Sequence, residues 1–165
     1  MCGTATHGHV YACEVAHPFV PDHYVVPLSL SGPGFRLEPL GPQHNDADHG
    51  AWTSSIEHIR TTPGFATRRW PPAEGMSLEE NLRDLRIHAD DFEQRTGFTY
   101  TVLDGEDVVV GCVYIYPSRE DPDVTEVRSW VTASRAELDS VLHETVDDWL
   151  AADWPFTDVR YRNRA

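Results

Sequence analysis

The chain has 165 residues, enough for one domain with a hydrophobic core but short for two. Its formal net charge is −14, and all 13 of its lysine-or-arginine positions are arginine; this charge disfavours nucleic acid and anionic membranes as partners and favours cations or amines, although it also serves simple solubility. No apolar stretch approaches the length of a membrane span, and the N-terminus lacks the features of a secretory signal, so the sequence predicts a cytoplasmic protein with no membrane partner.

The first 34 residues differ in composition from the rest and are predicted to form an irregular arm in front of a domain of residues 35–165. Thiolate and imidazole groups that suit zinc occur there; they belong to Cys2, His7, His9, Cys13 and His17. Their spacing matches no familiar zinc finger, so we predict a flexible leader and no metal site. The three cysteines of the chain have no CxxC spacing and suggest no disulfide framework.

The first half of the domain is predicted to hold a strand and a helix. Residues 35–40, FRLEPL, form a short strand. Asn45 and Asp46 can cap a helix whose apolar residues keep roughly helical spacing as far as Ile59. Residues 61–75 are rich in proline and glycine and are predicted to be a loop.

A second, amphipathic helix is predicted after this loop. Ser77 and Glu80 form a capping box, in which the hydroxyl and the carboxylate each satisfy a backbone N–H of the first turn. Apolar side chains follow on one face of the helix, and pairs of opposite charge lie on the other. The helix is predicted to end at Gly97.

Three strands are predicted next. Residues 98–104 alternate between apolar and polar side chains, and Asp104-Gly105 favours a hairpin turn. Residues 108–117 are almost continuously apolar, which is typical of a central strand covered on both faces. Residues 124–131 alternate again and form the third strand.

The last predicted elements are a helix and a short strand. Ser134 and Glu137 are predicted to form a second capping box at the start of the helix. The resulting order, β-α-α-β-β-β-α-β, predicts an α/β (α+β layered) domain with a mostly antiparallel central sheet flanked by helices.

This order of elements resembles the GCN5-related N-acetyltransferase (GNAT) superfamily over residues 35–160. The points of similarity are the strand FRLEPL, two helices in series, and GFTYTVLDGEDVVVGCVYIYP, which is similar to a family hairpin that closes on a vvGxxxl strand. The strand VRSWV then runs through a short turn into a helix, as in the family's acyl-CoA segment. The resemblance implies a GNAT-like fold with acetyl-CoA as co-substrate.

The resemblance also implies where the coenzyme lies. In the family, the fourth and fifth strands splay apart around the pantetheine arm and thioester, and the diphosphate rests on the loop that enters the next helix. Residues 110–116 and 126–131 correspond to those strands, and residues 132–136 to the loop. The implied coenzyme-binding residues are Tyr114, Trp130, Val131, Ser134, Arg135 and Ala136.

The loop departs from the family pattern, Arg/Gln-x-x-Gly-x-Gly/Ala, whose glycines let backbone amides approach phosphate. The sequence from Arg135 to Ser140 is RAELDS, in which only the arginine matches. A helix N-terminus attracts anions whatever its sequence. Ser134 and Glu137 would compete for its donors, however, and the carboxylates of Glu137 and Asp139 would repel a diphosphate at a cost on the order of 1 kcal/mol. The local sequence therefore favours a capped helix over a phosphate site.

The C-terminal half is shorter than the resemblance implies. Family members continue past this helix with a further helix that often carries a tyrosine acid, and that helix has no counterpart here. A homodimer, or the N-terminal arm folding back, could complete such a site.

Candidate catalytic residues follow from the chemistry of N-acyl transfer, which needs a base and oxyanion donors. Glu126 lies beside the implied gap and could act as the base; the alternative is an ordinary surface pair with Arg128. Tyr116, on the same strand face as Tyr114, could supply the acid, or both could be packing residues. Cys112 could be a nucleophile but is more typical of an inert core residue.

Two functions lead at this point, and metal binding through the cysteines and histidines of the N-terminal arm is a weaker third. The first is an acyl-CoA-dependent N-acetyltransferase acting on a small amine, with Trp70 in the loop RRWPP lining the substrate pocket. The second is a non-catalytic or repurposed member of the fold that binds a small molecule or a protein and uses no acyl-CoA. The glycine-free turn favours the second function, and the overall resemblance favours the first.

Overall fold

The structure, a computed structural model, describes residues 18–164 and has a six-stranded sheet covered by helices. The strands are β1 (Leu30–Gly32), β2 (Phe35–Pro39), β3 (Phe98–Asp104), β4 (Val109–Pro117), β5 (Thr125–Val131) and β6 (Val159–Tyr161). The α-helices are α1 (Asn45–Thr53), α2 (Ile56–Thr61), α3 (Leu78–Gln94) and α4 (Leu138–Asp153). Short 3₁₀ turns at Pro42–His44 and Ala133–Arg135 precede α1 and α4.

The sheet follows chain order, and β1 to β5 are antiparallel while β6 runs parallel to β5. Helix α4 makes the connection between that parallel pair, since parallel neighbours cannot be joined by a hairpin. The predicted α+β arrangement with a mostly antiparallel sheet is therefore confirmed. In the part of the chain that the structure describes, no helix is long and apolar enough to cross a membrane.

Helix α3 begins as its sequence predicts. The Ser77 hydroxyl accepts from the Glu80 backbone N–H at 3.1 Å, and the Glu80 carboxylate faces the Ser77 N–H in return. The helix ends at Gln94, earlier than predicted, because Arg95 adopts a left-handed conformation with φ of 63°.

The first predicted helix is broken into two. The first part, α1, ends at Thr53. There the hydroxyls of Thr53 and Ser54 donate to the carbonyls of His49 and Ala51 at 2.6 and 2.7 Å. Such side-chain bonds compete with the helical ladder. Helix α2 then restarts at Ile56, and Ser55 lies at the junction.

The predicted N-terminal arm is described only from residue 18 onward, and its candidate zinc residues Cys2, His7, His9, Cys13 and His17 lie outside the described residues. The part that is described packs on the domain. Val20 is 1% exposed, Arg95 donates at 2.8 Å to the carbonyls of Pro21 and Tyr24, and β1 pairs with β2. Among residues 18–164, no group of three or more potential metal ligands occurs.

Two apolar cores cover opposite faces of the sheet. One lies between the sheet and α4 and includes Val127, Val131 and Leu142. The other lies toward α1, α3 and the loop of residues 62–77, and it includes Trp52 and Trp130. Successive residues of β5 therefore point alternately into the two cores, so neighbours in the sequence contact different sets of side chains.

Candidate functional site

The gap predicted between residues 110–116 and 126–131 is absent. Strands β4 and β5 pair without interruption from Gly111 opposite Val131 to Pro117 opposite Thr125. The expectation that these two strands splay apart is therefore wrong, since every residue of β5 has a partner in β4.

The sheet opens one strand further along. The parallel pair β5 and β6 is matched over only three positions, from Thr125 opposite Val159 to Val127 opposite Tyr161. Beyond Val127 the β5 backbone has no partner in β6. This parting of parallel strands lies directly before the turn of residues 132–137 that leads into α4.

The side chains of Tyr161 and Arg164 fill this parting. The Ser129 and Tyr161 hydroxyls share a short hydrogen bond. Arg164 donates to the Ser129 backbone carbonyl at 2.8 Å and pairs with Asp139 at 2.7 Å. His143, one turn after Asp139 on α4, is buried against the Tyr161 ring with centroids 4.1 Å apart.

The turn of residues 132–137 is held by its own contacts. The second capping box is wrong: Ser134 lies in the 3₁₀ turn with its hydroxyl 3.2 Å from that of Thr132, and no side chain caps α4 at Glu137. The Ala133 N–H donates to the Ser55 hydroxyl at 2.9 Å. One of the backbone donors that a diphosphate would use is therefore already satisfied.

Arg135, the arginine implied to bind the diphosphate, contacts two carboxylates. It donates to Asp104 and Glu137 at 2.9 and 2.8 Å, and its hydrogen bond to Glu137 lowers the pKa of that carboxyl group below its ordinary value. Ala136 follows in the same turn, at the C-terminal end of the 3₁₀ segment. Arg135 thus offsets the negative charge of Glu137, which the sequence analysis expected to repel a diphosphate. The same ion pairs, however, occupy Arg135, so it is not free to bind the diphosphate itself.

The sheet places the three strand residues implied to bind coenzyme on opposite faces; they are Tyr114, Trp130 and Val131. Val131 lies in the core under α4, next to the parting. Trp130 and Tyr114 lie on the opposite face, where the indole N–H donates to the tyrosine hydroxyl at 3.0 Å. Burial raises the pKa of Tyr114 well above its ordinary value, so that hydroxyl stays protonated.

A cavity of about 300 Å³ opens on this second face, between α1, α3 and the strands β4 and β5. Its lining combines aromatic, acidic and basic side chains, among them Asp48, Trp70, Asp84, His88, Tyr114 and Arg128. Trp70 stacks in the aromatic cluster below it, 5.4 Å from the Trp52 ring and 6.1 Å from the Trp130 ring between centroids. The structure thus places the predicted loop tryptophan at the wall of a cavity.

One end of the cavity is acidic and buried. Asp48 is 4% exposed and accepts from the Asn81 amide at 3.1 Å. Burial raises the pKa of Asp48 to about 6, and it also raises the pKa of Asp84, with the charge of Glu80 adding to the effect. Paired carboxyl groups of this kind suit a cationic ligand.

His88 connects the cavity to a hydrogen-bond chain. Its Nδ1 lies 2.9 Å from the Tyr116 hydroxyl and 3.1 Å from that of Thr99. The Tyr116 hydroxyl donates in turn to Asp91 at 2.9 Å. Burial, together with the charge of Arg128, lowers the pKa of His88 below its ordinary value, so the ring is neutral near pH 7.

The tautomer of His88 decides which hydroxyl its Nδ1 pairs with. Tyr116 gives its single proton to Asp91, so a protonated Nδ1 donates to the tyrosine oxygen and leaves the lone pair on Nε2; an unprotonated Nδ1 accepts from the Thr99 hydroxyl instead. A neutral, oriented imidazole at a cavity wall has the chemistry of a general base.

Sequence reasoning missed His88, Asp48 and the role of Arg128. His88 follows the buried Leu85 by three residues, which puts it on the inner face of α3. Asp48 precedes the buried Trp52 by four residues on α1. Helical spacing alone was therefore a signal for both.

The residues predicted to be catalytic have other neighbours. Glu126 pairs with Arg68 at 3.2 Å rather than with Arg128, and lies at the mouth of a different cavity. Tyr116 belongs to the His88 chain, where burial raises its pKa. Cys112 is fully buried, and burial raises the pKa of its thiol, which makes it a core residue rather than a nucleophile.

Solved structures with the same fold carry names of acetyltransferases. The ribosomal-protein-S5-alanine acetyltransferase of Vibrio fischeri aligns with a TM-score of 0.57 at 14% identity, over 75% of this chain and 67% of that one. RimL, a ribosomal L7/L12 alpha-N-protein acetyltransferase in complex with coenzyme A, aligns with 0.58 at 10% identity, over 76% and 65%. A GNAT-family acetyltransferase of Bacillus anthracis aligns with 0.56 at 12% identity, over 79% and 70%.

These likenesses establish the fold. The chain spans about two thirds of the length of the proteins it aligns with. No protein-family profile matches the sequence, and no curated protein matches it.

Proposed function

We propose that this chain, which has the fold of the GCN5-related N-acetyltransferases, transfers an acyl group from acyl-CoA to an amine bound in the cavity of about 300 Å³. The observation that carries the proposal is the parting of the parallel strands β5 and β6 beside the turn into α4. A pantetheine arm would lie in that parting and the diphosphate at the turn of residues 132–137. Coenzyme A bound to one neighbour of this fold supports the assignment.

The residues of the cavity would act on the acceptor. Asp48 and Asp84 attract the ammonium form of the amine, and the Nε2 of His88 accepts its proton, so that the free amine can attack the thioester carbonyl. The C–S bond then breaks, and the leaving thiolate takes up the second proton of the attacking nitrogen to give the amide and free coenzyme A. The positive charge that then sits on the imidazole is stabilised by Asp91 through Tyr116. Tyr116, predicted as an acid, thereby becomes a positioning residue, and Glu126 lies outside this scheme.

The coenzyme can enter only if two contacts give way. Arg164 must leave the Ser129 carbonyl, and Ser55 must release the Ala133 N–H. Each is a hydrogen bond, whose net contribution is on the order of 1 kcal/mol, or somewhat more for the charged group. A ligand that makes several charge-assisted contacts can exceed this cost.

The same two contacts support the alternative function, a binding module of this fold that uses no acyl-CoA. In that case Arg164 and Tyr161 keep the parting closed, Ser55 keeps the Ala133 N–H occupied, and the cavity alone binds a ligand. The predicted small-molecule amine, cytoplasmic location and homodimer stay predictions under either function.

Thermal melting with acetyl-CoA, with CoA and without ligand separates the two functions, because a ligand of the native state raises the midpoint by mass action. We expect both coenzymes to raise it, and acetyl-CoA to be consumed when amines are added. The acceptors to compare are small amines and peptides with a free N-terminal alanine or serine, since two neighbours are named for protein acetylation. No rise at millimolar coenzyme would leave the binding module as the function.

A further inference from the structure

Arg128, at the centre of β5, is a half-buried guanidinium without an acidic partner. It lies over the rings of Phe65 and Tyr114, 5.3 Å from each centroid. Burial lowers the pKa of Arg128, and the charge of Arg68 adds to this effect. Removing this guanidinium partly from water therefore costs desolvation free energy in the unliganded protein.

Within residues 18–164 no carboxylate forms a salt bridge with that charge, although the charge of Glu126 acts on it and favours the charged form of Arg128. Glu126, two residues away, pairs with Arg68 instead. The salt bridges of the described chain involve other arginines, which are Arg36, Arg68, Arg83, Arg135 and Arg164. A charge that is partly removed from water and left unpaired in the free protein is typical of a ligand-binding group.

Arg128 also borders open space on several sides. It lines the cavity that contains Asp48 and His88, and a neighbouring cavity of about 530 Å³. The charged residues that line the second cavity are Arg68, Arg128, Arg160 and Arg162, with Glu120 and Glu126. Arginine therefore outnumbers carboxylate there, in a chain whose net charge is −14. The planar guanidinium group of Arg128 carries N–H donors whose geometry matches a carboxylate or a phosphate.

We propose that the acceptor carries an oxyanionic group, a carboxylate or a phosphate, which pairs with Arg128 while its amine lies toward Asp48 and His88. The inference rests on the proposed function and narrows its substrate class from amines in general to amphoteric amines. The acidic and basic side chains that line one cavity are the basis for this choice. The aromatic rings that flank Arg128 would hold its plane and exclude water from the pair.

Binding of matched ligands to three proteins tests the inference. The proteins are the native chain, Arg128→Gln and Arg86→Gln; the second variant removes the same charge from an exposed position outside the cavities. The ligands are leucine, 3-methylbutylamine, which is leucine without its carboxylate, and the phosphonate analogue of leucine, with inorganic phosphate as a bare oxyanion. The readout is the ligand-induced rise in melting midpoint at constant ionic strength.

We expect leucine or its phosphonate analogue to bind the native chain at least tenfold more tightly than 3-methylbutylamine, and this preference to vanish in Arg128→Gln but not in Arg86→Gln. The preferred anion identifies the group. Arg128→Lys, which keeps the charge without the fork, should retain an intermediate preference and replaces Arg128→Gln if that variant fails to fold.

Three results would overturn the inference. They are equal binding of amine and amino acid by the native chain, an unchanged preference in Arg128→Gln, and a loss of CoA binding rather than acceptor binding in that variant. A chain that shows the anion preference but no response to CoA refutes the proposed function and leaves the Arg128 site standing, because the two ligands are measured separately.

Discussion

The Tyr116 hydroxyl donates a hydrogen bond to Asp91 at 2.9 Å, which leaves its oxygen free to accept from a protonated Nδ1 of His88, also 2.9 Å away. In the proposed function Tyr116, predicted as an acid, thus orients the base. Replacing His88 by Gln should lower the rate of acyl transfer by roughly 10²- to 10⁴-fold, the usual contribution of a general base. The rise in melting midpoint with CoA should stay unchanged. His23→Gln, at an exposed position, is the matched control and should keep full activity.

The pH dependence of the reaction should respond to the two charges nearest His88. Arg128 lowers the pKa of His88 and Asp91 raises it. A base must be neutral, so the acidic limb of kcat/KM should lie below pH 6.5 in the native chain. Arg128→Gln should move that limb to higher pH, and Asp91→Asn should move it to lower pH. Shifts in the same direction for both variants would contradict the assignment of His88.

Asp48→Asn should stabilise the protein in a pH-dependent way. The pKa of Asp48 is raised to about 6 by burial, so the unfolded chain releases this proton at lower pH than the native chain. The native state is therefore destabilised as pH rises from about 4 to 6, by up to about 3 kcal/mol above that window. Urea unfolding should show a gain for the variant at pH 7 that disappears at pH 4. A gain that is equal at both pH values would mean that the carboxyl group is not the cause.

Arg164→Gln should separate stability from coenzyme binding. The variant leaves Asp139 and the Ser129 carbonyl without their charged donor, at a cost of about 1 to 3 kcal/mol. Its melting midpoint without ligand should fall, but the rise with CoA should exceed that of the native chain, because one of the two side chains that fill the parting of β5 and β6 no longer has to be displaced. Arg162→Gln, on a neighbouring exposed residue, should change neither quantity by as much. A smaller rise in Arg164→Gln would show that this arginine binds the coenzyme instead of blocking it.

Gly111→Ala tests the tight pairing of β4 with β5. A methyl group there would meet the backbone carbonyl oxygen of Trp130, which cannot move without breaking the ladder. Overpacking of this kind costs about 1 to 3 kcal/mol. Gly105→Ala, in the open hairpin turn, has no atom within 4 Å of the added carbon and should be nearly neutral. Equal unfolding midpoints for the two variants would mean that the strands are less closely joined than the register indicates.

The elements that local sequence specifies were predictable. The capping box of Ser77 and Glu80, the hairpin after β3, and the shared face of Tyr114 and Tyr116 are each decided within a few residues. Strand β1 was missed because its three residues, LSG, carry no strand pattern and are ordered only by pairing with β2.

The candidate site was less predictable, because it depends on contacts between distant segments. His88 is oriented by Tyr116, 28 residues further on, and the end of β5 is occupied by Arg164, 35 residues beyond Ser129. The gap expected between β4 and β5 is wrong because a short turn joins these strands as antiparallel neighbours, whereas a helix joins β5 to the parallel strand β6. Only the register of β6 shows that the sheet parts on the other side of β5.

The hydrogen bond between Ser55 and Ala133 joins the junction of α1 and α2 to the turn where a diphosphate would bind, and α1 also carries Asp48, which lines the cavity. A ligand that takes the Ala133 N–H must release Ser55, and through it the join between α1 and α2. Occupancy of the turn and of the cavity should therefore be cooperative, positively or negatively, and thermodynamic reciprocity requires each ligand to change the other's affinity by the same factor. Coenzyme and acceptor could then bind in either order, and the Ser55 hydroxyl would make the affinity of each depend on the other.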